Sequence, residues 1–280
     1  MTRLVLYEML KTFWKKRTYL GFAIVLVIVP LVEVAFKLEG GRYVGVLMRG
    51  LAKDFFLVGN LFNGWLISLQ IMNSLWFHIP LLISFVAGDQ LAGEATSGTY
   101  RLMLTRPVSR TQVFLAKLIT TILYTVLFVL FLGALSVGLA LILLGRGDLL
   151  VAGHGVGLLI LPEADVAWRF FLAYGLAIWA MLTISSISLF FSSFVENAIG
   201  PIVGTMGVLI ISTVLSVLPV EVLATVRQYL FTTHMDLWFR AFADPIPWDR
   251  IREAVVILGA YSVASVAGAW LIFIRKDILS

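Results

Sequence analysis

The stretch Gly93-Glu94-Ala95-Thr96-Ser97-Gly98-Thr99-Tyr100-Arg101-Leu102-Met103-Leu104-Thr105-Arg106-Pro107-Val108-Ser109-Arg110 is a polar island between two long apolar segments. Pro107 has no amide hydrogen and pushes Arg106 out of the helical region, so a short helix over 98–105 is expected to stop near Thr105. Ser109 and Gln112 have the spacing of a capping box, and Val108 and Val113 that of a hydrophobic staple across it. A new helix therefore starts at a firmly specified point. A helix as short as 98–105 is unstable alone in water and needs a surface to dock on.

The segments on either side decide the class. Of 280 residues, 60% are hydrophobic and 13% charged, against roughly 45–50% and about 25% in soluble domains. Several apolar runs exceed the ~18 residues that mark a membrane span. The expected fold is an all-α membrane protein, one domain over 1–280. Its six transmembrane helices lie at about 19–36, 65–87, 113–144, 170–194, 198–218 and 254–274. Residues 1–17 read as an amphipathic interfacial helix. Leu6, Leu10, Phe13 and Trp14 sit at helical spacing, and Arg3, Lys11, Lys15, Lys16 and Arg17 make a basic face toward anionic lipid. The run from Tyr19 is long for a signal peptide and lacks a cleavage site, so a retained first span is expected. A second interfacial helix is expected within 37–64, where Leu47, Leu51, Phe55, Val58 and Phe62 recur opposite Arg49 and Lys53. Residues 145–167 and 219–253 read as loops, the latter with amphipathic character.

Six spans put both termini on one side. Lys and Arg number 11 on that side and 10 on the other, and the concentration of the basic residues at the chain ends favours cytoplasmic termini.

Much chemistry is excluded. There is no cysteine, the three histidines are far apart, and no GxxxxGK[ST], HExxH or Ser-His-Asp grouping occurs. The chain is expected to be no enzyme, with no catalytic residue and no metal site. The net charge of +5 suits basic flanks on anionic lipid rather than nucleic acid. Gln70, Asn73, Ser74 and His78 fall on one side of the second span. Polar groups in a span either bond neighbouring helices or line an aqueous path, and both readings stay open. Gly200 and Gly204 form a GxxxG with Gly207 beyond, serving close packing within the subunit or at a dimer interface. Serines 185, 186, 188, 192 and 193 read as small packing residues with local backbone bonds.

Glu94, Gly98-Thr99, the turn Leu102-Met103-Leu104, Arg106-Pro107-Val108-Ser109-Arg110 and the following Lys117 together resemble the signature of ABC-2 type transport permease subunits. The nearest likeness is to the branch of bacitracin and lantibiotic immunity, sodium-efflux and nitrous-oxide accessory permeases. The tail Phe273-Ile274-Arg275-Lys276-Asp277-Ile278 fits as well. The resemblance implies a permease in the plasma (inner) membrane, an exporter that pairs with a second permease copy and binds two copies of an ABC ATP-binding subunit. ATP and Mg would sit on that partner, leaving no cofactor in this chain. It also implies that 98–105 is the coupling helix. Glu94, Arg101 and Arg106 would then be polar contacts with the ATPase, and Leu102, Leu104 and Pro107 packing contacts. Gly98, Thr99 and Ser109 shape the segment. Glu196-Asn197 would offer a second, smaller contact. The translocation path would run along Gln70, Asn73, Ser74 and His78 and the glycines Gly200, Gly204 and Gly207, apolar enough to suggest a lipophilic or amphipathic cargo. A scaffold that docks an ATPase without transport, and a membrane enzyme acting on lipid, are the alternatives. The latter lacks an intramembrane carboxylate or histidine cluster to work with.

Overall fold

A computed structural model describes residues 1–51, 61–96, 108–152 and 158–276, with the side chains of 41–51 excluded. The short helix expected over 98–105 thus lies outside the described residues, along with Gly98, Thr99, Arg101, Leu102, Leu104, Arg106 and Pro107.

The described chain is predominantly helical: α1 (Thr2–Trp14), α2 (Thr18–Leu51), α3 (Gly64–Leu75), α4 (His78–Ala87), α5 (Asp89–Thr96), α6 (Arg110–Leu144), α7 (Glu163–Phe194), α8 (Ile199–Val217), α9 (Ala224–Arg227) and α10 (Trp248–Arg275). Five helices are long and apolar enough to cross a membrane, and a bent pair makes up to six. This is a multi-pass helical membrane protein.

α6 begins as the sequence demands. The Ser109 hydroxyl accepts from the Gln112 amide at 3.2 Å, and the Gln112 side chain accepts from the Ser109 amide at 3.1 Å. Val113 is buried, and Val108 packs with it against Phe114 and Phe273. With 35 residues, α6 is ~53 Å long at 1.5 Å per residue, well beyond a hydrocarbon core of ~30 Å.

α7 is the axis of the bundle. About two thirds of its apolar window is buried (67%), against a third or less in the other four single helices long enough to span. Ala173, Ala177, Ala180 and its serines keep the buried surface narrow, so α4, α5, α6, α8 and α10 all pack on it.

Three expectations are corrected. The second span is not one straight helix over 65–87: α3 and α4 meet at 60° across Trp76-Phe77. Pro80 explains the break, since it has no N–H to give and its ring crowds the carbonyl four residues back, that of Trp76. Nor is there an interruption after Phe36, because α2 continues to Leu51. Glycines 40 and 41 are tolerated there, and Gly40 leaves room for the Phe62 ring, which a Cβ would meet at 1.9 Å. Residues 52–60 are outside the description. Lastly, 145–167 holds an antiparallel hairpin, Leu149–Ala152 (β1) against Leu158–Leu161 (β2), with Leu149 opposite Leu161. Asn63 ties it to the head of α3. Its side-chain oxygen accepts from the Trp65 and Leu66 amides, and its nitrogen donates to the Asp148 carbonyl at 2.7 Å.

At the same end, a 3₁₀ segment, Phe231–Phe242, folds its apolar face onto α7. Leu237, Trp238 and Phe242 are fully buried there. Arg169 of α7 holds the segment by donating to the Ala241 and Ala243 carbonyls.

Candidate functional site

The opposite end of the bundle gathers α1, α5 and the starts of α6 and α8. α1 lies against it the opposite way round from a simple amphipathic reading. Leu6, Leu10 and Trp14 are exposed, Trp14 to 90%, while Glu8 and Thr12 are buried against the bundle. An outward apolar face suits a helix lying in the headgroup layer, with its tryptophan at the interface. The inward polar face needs partners, and α5 and α6 supply them.

Lys117 is 1% exposed. Its ammonium reaches Glu8 Oε2 of α1 at 2.8 Å and Glu94 Oε1 of α5 at 3.1 Å. Lys11 also pairs with Glu94. Five residues earlier, Asp89 takes Lys15 at 2.7 Å and Arg17 at 2.6 Å, and Gln90 donates to the Thr12 hydroxyl at 3.3 Å. Three helices are thereby joined by four cations and three carboxylates. Burying these ions is costly, and their mutual contact offsets that cost only while every partner is present. Such an arrangement fixes geometry more than it adds stability.

Two further devices hold α5. Ser192 of α7 accepts from the amides of Leu91 and Ala92 at 3.1 and 2.9 Å and donates to the Gly88 carbonyl. A side chain from another helix thus caps the free N–H groups at the start of α5. At Gly88, a Cβ would lie 2.8 Å from the Ser84 carbonyl oxygen and 2.9 Å from Pro201, so only glycine lets α4 and α8 approach this closely. At the far end of α5, the Thr96 hydroxyl donates to the Glu196 carbonyl at 2.6 Å. That joins it to the turn between α7 and α8, whose Asn197 side chain caps α8 at Gly200.

The sequence expectations divide accordingly. Glu94 is 2% exposed and bound to Lys11 and Lys117, so it is a core ion and not a surface contact for a partner. Lys11, Lys15 and Arg17 are turned to α5 carboxylates rather than left for lipid. Ser109 is the N-cap of α6. Serines 185, 186 and 193 bond carbonyls of their own helix, but Ser188 and Ser192 reach across to the carbonyls of Ser84 and Gly88.

Gln70, Asn73, Ser74 and His78 are exposed on the side of the bent pair facing away from the core. Gln70, Ser74 and His78 line a groove of about 470 Å³ against α2, walled by Val29, Val32 and Phe36. His78 Nδ1 lies 3.2 Å from the Ser74 carbonyl. The α8 glycines do not line it. Gly204 lies against the Phe191 ring, where a Cβ would come within 3.0 Å, and Gly200 against Val195 and Asn197, while Gly207 meets nothing within 4 Å. The first two serve packing inside the subunit.

Glu8, Asp89 and Glu33 were missed. Glu8 is the lone acid in a basic helix, and lysines 11 and 15, four apart, anticipate a matching pair of acids such as 89 and 94. Glu33 is a buried ionisable group that the averages of hydropathy concealed. It sits in the first span and is 0% exposed, yet Val29, Val32, Val34 and Phe36 around it hide it in any average of hydropathy. Among the described residues, no group of three or more acids, histidines or cysteines is placed to hold a metal.

Comparison with curated proteins finds no match. A family model does match, described as "Protein of unknown function (DUF2705)", over residues 53–279. That range takes in α3 to α10 and, of the charge network, Asp89, Glu94 and Lys117, and the chain belongs to the DUF2705 family.

Proposed function

We propose that the chain is the membrane-spanning permease subunit of an ABC-2 type transporter, an exporter driven by two copies of a separate ATP-binding cassette subunit. The observation that carries this reading is the buried charge network. Glu8, Lys117 and Glu94 lock α1, α5 and the start of α6 into one body. That body brackets residues 97–107, whose sequence bears the docking signature. A load reaching α5 and the start of α6 is passed on through the Ser109–Gln112 cap and, by Ser192 and Gly88, to α4 and α7.

In this reading the bent α3–α4 pair is the second of six spans, and its 60° break is the hinge. Displacement of α5 changes the angle between the halves and so the groove holding Gln70, Ser74 and His78, a closure-type switch between two packed arrangements. The charged end faces the cytoplasm with both termini. α1 lies in the inner leaflet of the plasma membrane, and two copies of the chain form the functional unit. An apolar groove with three polar side chains suits an amphipathic cargo.

The test is co-expression with candidate ATP-binding cassette subunits from the same genome. Arg101→Glu with Leu104→Asp should abolish co-purification, whereas Lys117→Met should keep the partner bound but lose ATP-driven transport in liposomes. Retention of the partner by the first variant would refute the docking role, and full transport by the second would refute the transmission role.

A further inference from the structure

The buried face of α2 carries Val25, Val29 and then, one turn on, Glu33. Glu33 is 0% exposed, and neither of its carboxyl oxygens has a hydrogen-bond partner. Lys37, four residues along the same helix, is exposed and forms no ion pair with it. Tyr174 of α7 belongs to the polar layer in the same part of the bundle. The Tyr174 hydroxyl shares a hydrogen bond of 2.8 Å with Ser136 of α6, whose carbonyl accepts from Ser68 of α3 at 3.1 Å. This polar layer offers hydroxyls and no cation.

The remaining described charges on helices packed against α2, or on α7, are engaged or distant. Lys117 and Lys11 belong to the charge network, Arg110 donates to the Ile274 and Lys276 carbonyls, and Arg169 is bound to the 3₁₀ segment. Arg3 is exposed at the start of α1, and His78 is exposed on the groove side of α4. An ionised carboxylate with no counter-charge and no donor is so costly in such surroundings that it takes up a proton instead. No water-sized space reaches either oxygen, so nothing larger than a proton fits.

We propose that Glu33 is a proton-binding site inside the first span, loaded in this closed bundle and unloaded when α2 parts from α6 and α7. The chemistry is a single acid–base step: the carboxylic O–H bond breaks, its electron pair stays on the oxygen, and the proton passes to entering water. Each opening of the bundle then releases a proton and each closure takes one up, which ties its conformation to pH. The protonated acid itself stands apart from the transport reading, whereas its release on opening rests on the closure switch proposed above.

Infrared spectroscopy of the purified chain in lipid nanodiscs at neutral pH tests it. The expected result is a protonated-carboxyl C=O band that shifts in D₂O and is lost in Glu33→Gln. Identical wild-type and Glu33→Gln spectra in this region would overturn the proposal. Should Glu33→Gln fail to fold, wild type grown with ¹³C-carboxyl glutamate decides: a neutral-pH acid band that shifts with the label supports the site, and absence of such a band refutes it.

Discussion

Replacing Lys117 by Met keeps a long apolar stem in place and deletes one buried charge. In the folded protein Lys117 is 1% exposed and is the cation on Glu8 Oε2, while Glu94 keeps Lys11. Lys117→Met therefore strands the Glu8 carboxylate, itself 1% exposed, against an apolar neighbour. Stranding one member of a buried ion pair costs roughly 3–5 kcal/mol. If α1 is held chiefly by this network, the loss falls on its docking first. The population with α1 detached should rise by roughly a hundredfold or more, at 1.4 kcal/mol for each tenfold. Trypsin reports that population through the bonds after Lys11 and Lys15, which detachment releases from Glu94 and Asp89, and cleavage tracks the open form when reclosing is fast. Adding Glu8→Gln removes the stranded charge and should recover more than half of the loss, since an ion pair deleted on both sides is far less damaging than one broken on one side. Cleavage of Lys117→Met within about threefold of wild type, a difference under ~1 kcal/mol, would refute the reasoning.

Other consequences are local. Ser192→Ala removes the acceptor for two buried amides of α5 and should destabilise the protein by about 2 kcal/mol, seen in thermal unfolding and in faster hydrogen exchange at Leu91 and Ala92. Ser185→Ala, which loses only a bond to its own helix, should change both by far less. Gly88→Val places side-chain atoms against the Ser84 carbonyl and Pro201; overpacking of this kind costs roughly 1–3 kcal/mol and should widen the α4–α8 distance measured between spin labels.

How much of this was legible depended on the range of the interaction. The start of α6 was readable to within a few residues because Ser109, Gln112, Val108 and Val113 interact with one another locally. The hydrophobic lengths of α7, α8 and α10 were readable for the same reason, since each helix satisfies its own backbone. The break at Trp76-Phe77 was missed because an average over 65–87 sees only apolar residues, although Pro80 alone carries the steric reason for it. The basic face of α1 was read as turned to anionic lipid: apolar periodicity locates a stripe but cannot say what the opposite face meets. Only the acids of α5, some 80 residues on, decide that Lys11 and Lys15 turn inward. Glu94 looked like a surface contact for the same reason, as its partners come from two helices remote in sequence.

Native mass spectrometry of the chain purified in nanodiscs after co-expression with candidate ATP-binding cassette subunits from the same genome tests the central claim most directly. The account predicts an assembly of two copies of each chain, present in wild type and lost when Arg101→Glu and Leu104→Asp are combined. A chain that folds and inserts normally yet carries no ATP-binding subunit at any expression ratio would contradict it.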